Sequence, residues 1–182
     1  HAGEDVDMPG DLAGLIRALG LRQPIVAGHS MGGSVSAVTA MLYPDLVRGL
    51  VLEDPGWHNP PPKEEKPAQL LPQPNPFMDW LLSLEGKSLD ELVAKCRADE
   101  PRWAEVELLP WAEAKQQLDK TIFQTNRKPA HDWHAVVPAI QCPTLLITAE
   151  VEKGAIITAE MAAEAQALNP RVQVVKIAGA GH

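Results

Sequence analysis

The sequence predicts an α/β protein: a mostly parallel sheet with alternating helices and a helical insertion between two of its strands. Three observations carry that expectation. Short apolar runs alternate with segments of helical periodicity. A glycine-rich turn, Gly28-His29-Ser30-Met31-Gly32-Gly33, joins one such run to one such segment. The composition then changes abruptly at Pro55, from alternating elements to proline-rich chain followed by successive helical patterns. Alternation of this kind argues for a parallel sheet. With 182 residues, 45% hydrophobic and 22% charged, the chain is long enough to bury a sizeable core.

Taken in order, His1 to Pro9 is polar and acidic and reads as an arm or loop. Asp11 has the chemistry of an N-cap. Leu12, Leu15, Ile16 and Leu19 follow at helical spacing, and Gly20 ends the pattern. Pro24-Ile25-Val26-Ala27 is a short strand leading into the glycine-rich turn, and Met31 to Leu42 is the helix beyond it, stopping at Tyr43-Pro44. Leu50-Val51-Leu52 is a short buried strand that runs into Glu53-Asp54-Pro55. Pro55, Pro60, Pro61, Pro62, Pro67, Pro72, Pro74 and Pro76 are eight of the chain's 17 prolines, which predicts a stiff, extended connection. Helices are expected over Phe77–Leu84, over Ser88–Arg97 (where Ser88 and Glu91 have capping-box spacing) and over Trp103–Leu118. Thr144-Leu145-Leu146-Ile147 is a strand, Ala149–Ile157 a loop, Thr158–Leu168 a helix and Val172–Ile177 the last strand. The expected organisation is therefore a core of residues 1–56 and 137–182 around a Pro- and Trp-rich helical cap of residues 57–136. An insertion at the C-terminal ends of the strands would lie over the crevice where open α/β sheets bind ligands.

Composition excludes several functions. The net charge of −8 argues against nucleic acid and anionic membrane surfaces as partners. No apolar run approaches the roughly 18 residues of a membrane helix. No His/Cys/Asp/Glu spacing suggests a metal site, and no Lys-Ser/Thr follows the glycines as a phosphate loop requires, so no cofactor is expected. The two cysteines, Cys96 and Cys142, lie in unlike contexts and read as isolated thiols, which points to a reducing, cytoplasmic setting.

The chemistry concentrates at Ser30. A serine at the apex of a sharp strand–turn–helix sits in strained backbone, and its neighbours Gly28 and Gly32 must be small for strand and helix to approach. The N–H of Met31, at the start of the helix, is placed to stabilise an oxyanion. A serine nucleophile needs a base, and His182, in Gly179-Ala180-Gly181-His182, is the candidate. His29 belongs to the turn, but its side chain should point away from Ser30, so it reads as structural. All five tryptophans, Trp57, Trp80, Trp103, Trp111 and Trp133, fall in the expected cap. They would either line an apolar substrate pocket or form the cap's own small core.

These residues resemble the α/β-hydrolase superfamily, in its group with helical caps. The motifs that match are Gly28-His29-Ser30-Met31-Gly32-Gly33 as the nucleophile elbow, Leu52-Glu53-Asp54-Pro55 after the following strand, Cys142-Pro143-Thr144-Leu145-Leu146-Ile147 as the penultimate strand, and Gly179-Ala180-Gly181-His182. The resemblance runs from about residue 11 to the end and implies a partial α/β-hydrolase fold. The usual position of the acid in the superfamily is the loop after the penultimate strand, where Glu152 aligns best and Glu150 next. Some members, including relatives of dehalogenases, use a carboxylate after the preceding strand instead, which is Asp54 here. Asp54 is preferred, with Glu152 the alternative.

The resemblance also exposes departures. Relatives carry several strands ahead of the matching region, with a His-Gly loop that supplies a second oxyanion donor, and a final helix after the histidine. The sequence shows neither and reads as the C-terminal part of a hydrolase. The elbow strand would then lie at a sheet edge, a template for pairing, so a homo-oligomer is expected. The activity implied is serine-dependent hydrolysis of small carboxylic esters through an acyl-enzyme. The alternatives are an inactive or weakly active fragment with an assembly role, and hydrolysis of lactones, amides or C–C bonds on the same triad.

Overall fold

The computed structural model of the chain describes residues 6–57, 76–118 and 131–182. The Pro-rich connection expected from Pro55 to Pro76 lies, apart from its ends, outside the described residues. Two compact units emerge: residues 6–57 with 131–182, and residues 76–118.

The first unit is an α/β layer structure. Its elements are α1 (Met8–Ala18), β1 (Ile25–His29), α2 (Met31–Leu42), β2 (Gly49–Glu53), α6 (Trp133–Ala139), β3 (Thr144–Thr148), α7 (Ala159–Leu168) and β4 (Val172–Lys176). The four strands form one sheet in the order β1-β2-β3-β4, and every pair is parallel. Parallel neighbours require crossovers, and α2 and α7 supply two of them. Register sorts the side chains into two faces. Val26, Leu50, Thr144 and Val172 lie in one row, and Gly28, Leu52, Leu146 and Val174 in the next, all on the helical side. Leu50, Leu52, Leu146 and Val172 form the buried core with Ala37, Val38, Val137 and Ala165 from the helices. α2 packs on β1 and β2, α7 on β4, and α1, α2, α6 and α7 follow one another in contact. The opposite face carries Ile25 and Val175, which are 57% and 45% exposed, and β1 and β4 are the two edges of the sheet.

Local sequence explains most boundaries. α1 begins earlier than expected. Asp7, not Asp11, is its N-cap and accepts the Gly10 N–H, while Pro9 occupies the first turn. Proline is tolerated there because those N–H groups have no helical partner in any case. Gly20 follows the helix with φ +63°, a left-handed conformation that favours glycine. α6 has no counterpart among the sequence expectations: it is seven residues long and includes Pro138, so its periodic signal is weak. Asp132 caps it by accepting the His134 N–H.

The second unit consists of α3 (Pro76–Ser83), α4 (Leu89–Asp99) and α5 (Glu105–Gln117). Ser88 and Glu91 form the capping box that their spacing predicts. Leu84, Leu92 and Ala112 make a small core flanked by Trp80 and Trp111. Both cysteines are free and buried, and among the described residues no helix is long and apolar enough to cross a membrane.

Candidate active site

Ser30 is placed by the ends of two strands. Its N–H donates to the Glu53 carbonyl at the end of β2 (3.0 Å), and its own carbonyl accepts the N–H of Gly56 (2.9 Å) and of Ser34 (3.2 Å). The backbone there is strained, with φ +53° and ψ −120°. Close approach of β1 and α2 makes this possible: a Cβ on Gly28 would overlap the Gly32 carbonyl, and one on Gly33 would come within 3.0 Å of both the Gly28 oxygen and the Pro55 side chain. Gly32 has nothing within 4 Å of its Cβ position outside its own helix and chain neighbours. The steric demand expected of Gly28 and Gly32 therefore falls on Gly28 and Gly33, because the helix turns Gly32 away from the strand.

Asp54 follows β2 directly. Its N–H donates to the Ile147 carbonyl of β3 (2.8 Å), and its φ of +38° turns the side chain into the protein, where the residue is 2% exposed. The carboxylate accepts the N–H groups of Ile156 (2.9 Å to Oδ2) and Ile157 (2.9 Å to Oδ1) and a hydrogen bond from His182 Nδ1. Burial opposes its charge. The His182 hydrogen bond and the Ile157 and Ile156 N–H groups outweigh that cost and hold its pKa below the ordinary carboxylate value.

His182 joins the two. With Nδ1 donating to the ionised Asp54, Nε2 is the acceptor in the neutral ring, and it stands 2.9 Å from Ser30 Oγ. An imidazole oriented by a buried carboxylate and in contact with a hydroxyl is the arrangement that can take a serine proton and return it to a leaving group. Beside it, Met31 opens α2, and the first N–H groups of a helix lack intrahelical partners, so they favour developing negative charge.

A sequence profile of the alpha/beta hydrolase family matches residues 2–182. The chain belongs to that family. A segment of 48 residues is 48% identical to the 2-(acetamidomethylene)succinate hydrolase of Mesorhizobium japonicum, covering 26% of this chain and 17% of that protein. Among solved structures, N-formylmaleamic acid deformylase from Pseudomonas putida S16 superposes with a TM-score of 0.66 at 22% identity, over 97% of this chain and 68% of that one. The carboxylesterase NP, or naproxen esterase, of Bacillus subtilis superposes with a TM-score of 0.65 at 16% identity, over 96% and 59%. The solved E-2-(acetamidomethylene)succinate hydrolase is covered over 65% of its length. The chain thus spans about two thirds or less of the length of several relatives.

Further groups surround the site. Glu150 stands apart from Asp54 in its contacts: its carboxylate accepts the Gly179 N–H (2.8 Å) and pairs with Lys153 (2.8 Å), whose Nζ also donates to the Gly179 carbonyl (3.0 Å). The Glu150 N–H donates to the Ala180 carbonyl (3.0 Å). Glu150 thereby fastens the loop that carries His182, and Lys153 first, then the Gly179 N–H, keep its pKa lowered. Gly181 is required in that loop, since a Cβ there would overlap the Lys153 carbonyl oxygen. Glu152, the alternative acid, lies exposed in the short 3-10 turn Val151–Lys153, while the contact to His182 is made by Asp54. The loop after the penultimate strand presents backbone donors to Asp54.

His29 does more than its position suggested. Its ring lies 4.6 Å from that of His182, and its Nε2 is 2.6 Å from the His182 main-chain oxygen. An oxygen only accepts, so His29 Nε2–H is the donor. His29 lies in register with Glu53, Ile147 and Val175, and its ring meets the histidine returning from β4, whose own Nε2 reaches Ser30. Sequence offered no signal for this, because the partner lies 153 residues away.

The tryptophans divide. Trp57 and Trp133 stack at 5.2 Å with an interplanar angle of 7° and line a cavity of about 730 Å³ together with Ser30, Met31 and Gly56. Trp80 and Trp111 pack edge to face at 6.3 Å in the second unit. Trp103 is 45% exposed.

Proposed function

We propose that this chain is a serine hydrolase of carboxylic esters acting through an acyl-enzyme. Ser30 is the nucleophile, His182 the general base and then acid, and Asp54 the carboxylate that orients His182. The hydrogen-bonded sequence Ser30 Oγ–His182 Nε2 (2.9 Å) with His182 Nδ1–Asp54 Oδ2 carries the reading. His182 accepts the Ser30 proton as Oγ attacks the ester carbonyl. The tetrahedral oxyanion faces the N–H of Met31. Collapse breaks the ester C–O bond, and the alcohol leaves with the proton from His182. Water then repeats the sequence on the acyl-serine, releases the acid and restores Ser30.

The exposed edge strand β1 supports self-association as part of this proposal.

The test is hydrolysis of p-nitrophenyl acetate and butyrate by the purified chain beside Ser30→Ala, with light scattering for size. Serine-dependent turnover from a defined oligomer is the expected result. Equal rates from the two proteins would leave an assembled hydrolase fragment without turnover.

A further inference from the structure

A cavity of about 730 Å³ opens at Ser30. One wall is α2, which begins at the very next residue. Met31, Val35, Val38 and Leu42 recur at spacings of four, three and four and so share one helical face along this wall. At about 1.5 Å of rise per residue, that face runs roughly 16 Å from the elbow, well beyond the reach of an acetyl or butyryl group. The stacked pair Trp57 and Trp133 lines the same cavity.

The charges around the cavity point the same way. Among the described lining residues there is no lysine or arginine, and the ionisable side chains are those of Asp7 and His131. A carboxylate drawn along the apolar wall of α2 and the tryptophan pair loses water without meeting a lysine or arginine among the described lining residues, which disfavours it. An added methylene leaves water for an apolar wall, which favours it. The relatives named above include one whose printed substrate is a succinate, a dicarboxylate. The cavity described here has the opposite chemistry.

We propose that the site selects uncharged, apolar acyl groups longer than butyryl and lays them along α2 between Val35, Val38 and Leu42 and the Trp57–Trp133 pair. This rests on the ester-hydrolase reading given above and names the substrate class of that site.

The test uses the full chain and Ser30→Ala with p-nitrophenyl acetate, butyrate, hexanoate and octanoate, and with mono-p-nitrophenyl succinate as the charged acyl of butyrate length. Serine-dependent kcat/KM is expected to rise about threefold per added methylene through octanoate. The succinate ester is expected at least tenfold below butyrate, since its charge is desolvated without a partner. Val35→Trp is expected to shift the preference toward acetate. Leu42→Trp, at a half-exposed position near the far end of the face, keeps the test open if the first variant misfolds, and is expected to lower octanoate relative to hexanoate. A flat or falling acyl profile, or succinate hydrolysed as well as butyrate, would overturn this proposal while serine-dependent acetate hydrolysis keeps the ester-hydrolase reading intact. A rise with the alcohol in an alkyl acetate series, absent from the acyl series, would also overturn it. Absence of serine-dependent turnover on every ester would overturn both.

Discussion

The two units of this chain are held by different kinds of contact. In the helical unit several polar contacts are short in sequence. Ser88 and Glu91 cap α4, Lys95 pairs with Asp99 four residues on, and Arg97 makes a bidentate pair with Glu105 eight residues on. Lys115 lies over the rings of both Trp80 and Trp111. In the α/β unit the decisive contacts are long. Ser30 meets His182 across 152 residues, Asp54 meets His182 across 128, and the Ile156 and Ile157 N–H groups reach Asp54 across more than a hundred. Local contacts reinforce a helix that propensity already favours and contribute little individually when exposed. Long contacts exist only when the sheet is in register, so each one reports on the whole unit. Substitutions should therefore fall into two classes, and the following outcomes sharpen or break that division.

The largest effects belong to the hydrogen-bonded chain. Ser30→Ala and His182→Ala should each lower kcat for p-nitrophenyl butyrate by about 10⁴-fold or more, with the far-ultraviolet circular dichroism unchanged. A variant retaining a tenth of wild-type turnover would remove that residue from the chemistry.

Next is Asp54→Asn, with an expected loss of about 10³–10⁴ in kcat, against Glu152→Gln, which should stay within about twofold because the carboxylate is an exposed surface group. Loss of activity in the glutamate variant alone would reverse the assignment of the acid. The same substitution carries a pH signature. The folded protein lowers the Asp54 pKa, so its charge stabilises the fold at pH above its unfolded value, near 3.9, and that contribution disappears as pH falls through the folded value. In urea titrations the stability gap between wild type and Asp54→Asn should be about 1–3 kcal/mol at pH 7 and should close as the pH drops below about 4. A gap that widens on acidification would contradict the lowered pKa.

His29→Ala should lower kcat by about tenfold to a hundredfold with KM little changed, through misplacement of His182. His29→Gln retains a donor for the His182 oxygen and should recover part of the loss. Equal effects in the two variants would leave His29 as packing alone.

The elbow glycines give a smaller, opposed pair. Gly28→Ala forces a Cβ against the Gly32 carbonyl and should destabilise by about 1–3 kcal/mol. Gly32→Ala meets open space in a helix and should be neutral or stabilising by up to about 1 kcal/mol. Smallest of all, Ser88→Ala in the helical unit should cost about 1 kcal/mol in chemical denaturation.

Much of this molecule is legible in its sequence. Around Ser30, α2 spans Met31–Leu42 as the sequence predicts, while β1 runs on through Gly28 and His29, two residues past the expected end of the strand. The capping box at Ser88 and Glu91 needed only its spacing. The N-cap of α1 was misplaced by four residues because Asp7 and Asp11 offer the same side chain, and the chain's preference was settled by the whole first turn. α6 was missed because a seven-residue helix containing Pro138 has almost no period to detect.

What sequence by itself determined was the set of local geometries and the parts list: a strained serine at a helix start, an aspartate closing a strand, a histidine in a glycine-rich loop. Each of these follows from the chemistry of neighbouring residues. Tertiary structure alone decided which parts meet. Asp54 and Glu152 are equally good carboxylates in one dimension. Only the parallel register of β2 against β3 brings the Ile156 and Ile157 N–H groups to Asp54 and leaves Glu152 on the surface. His29 looked like part of a turn until β4 returned His182 to its side of the sheet. Backbone periodicity fixes where a side chain points, but the partner it finds is fixed by the strands that hydrogen-bond beside it.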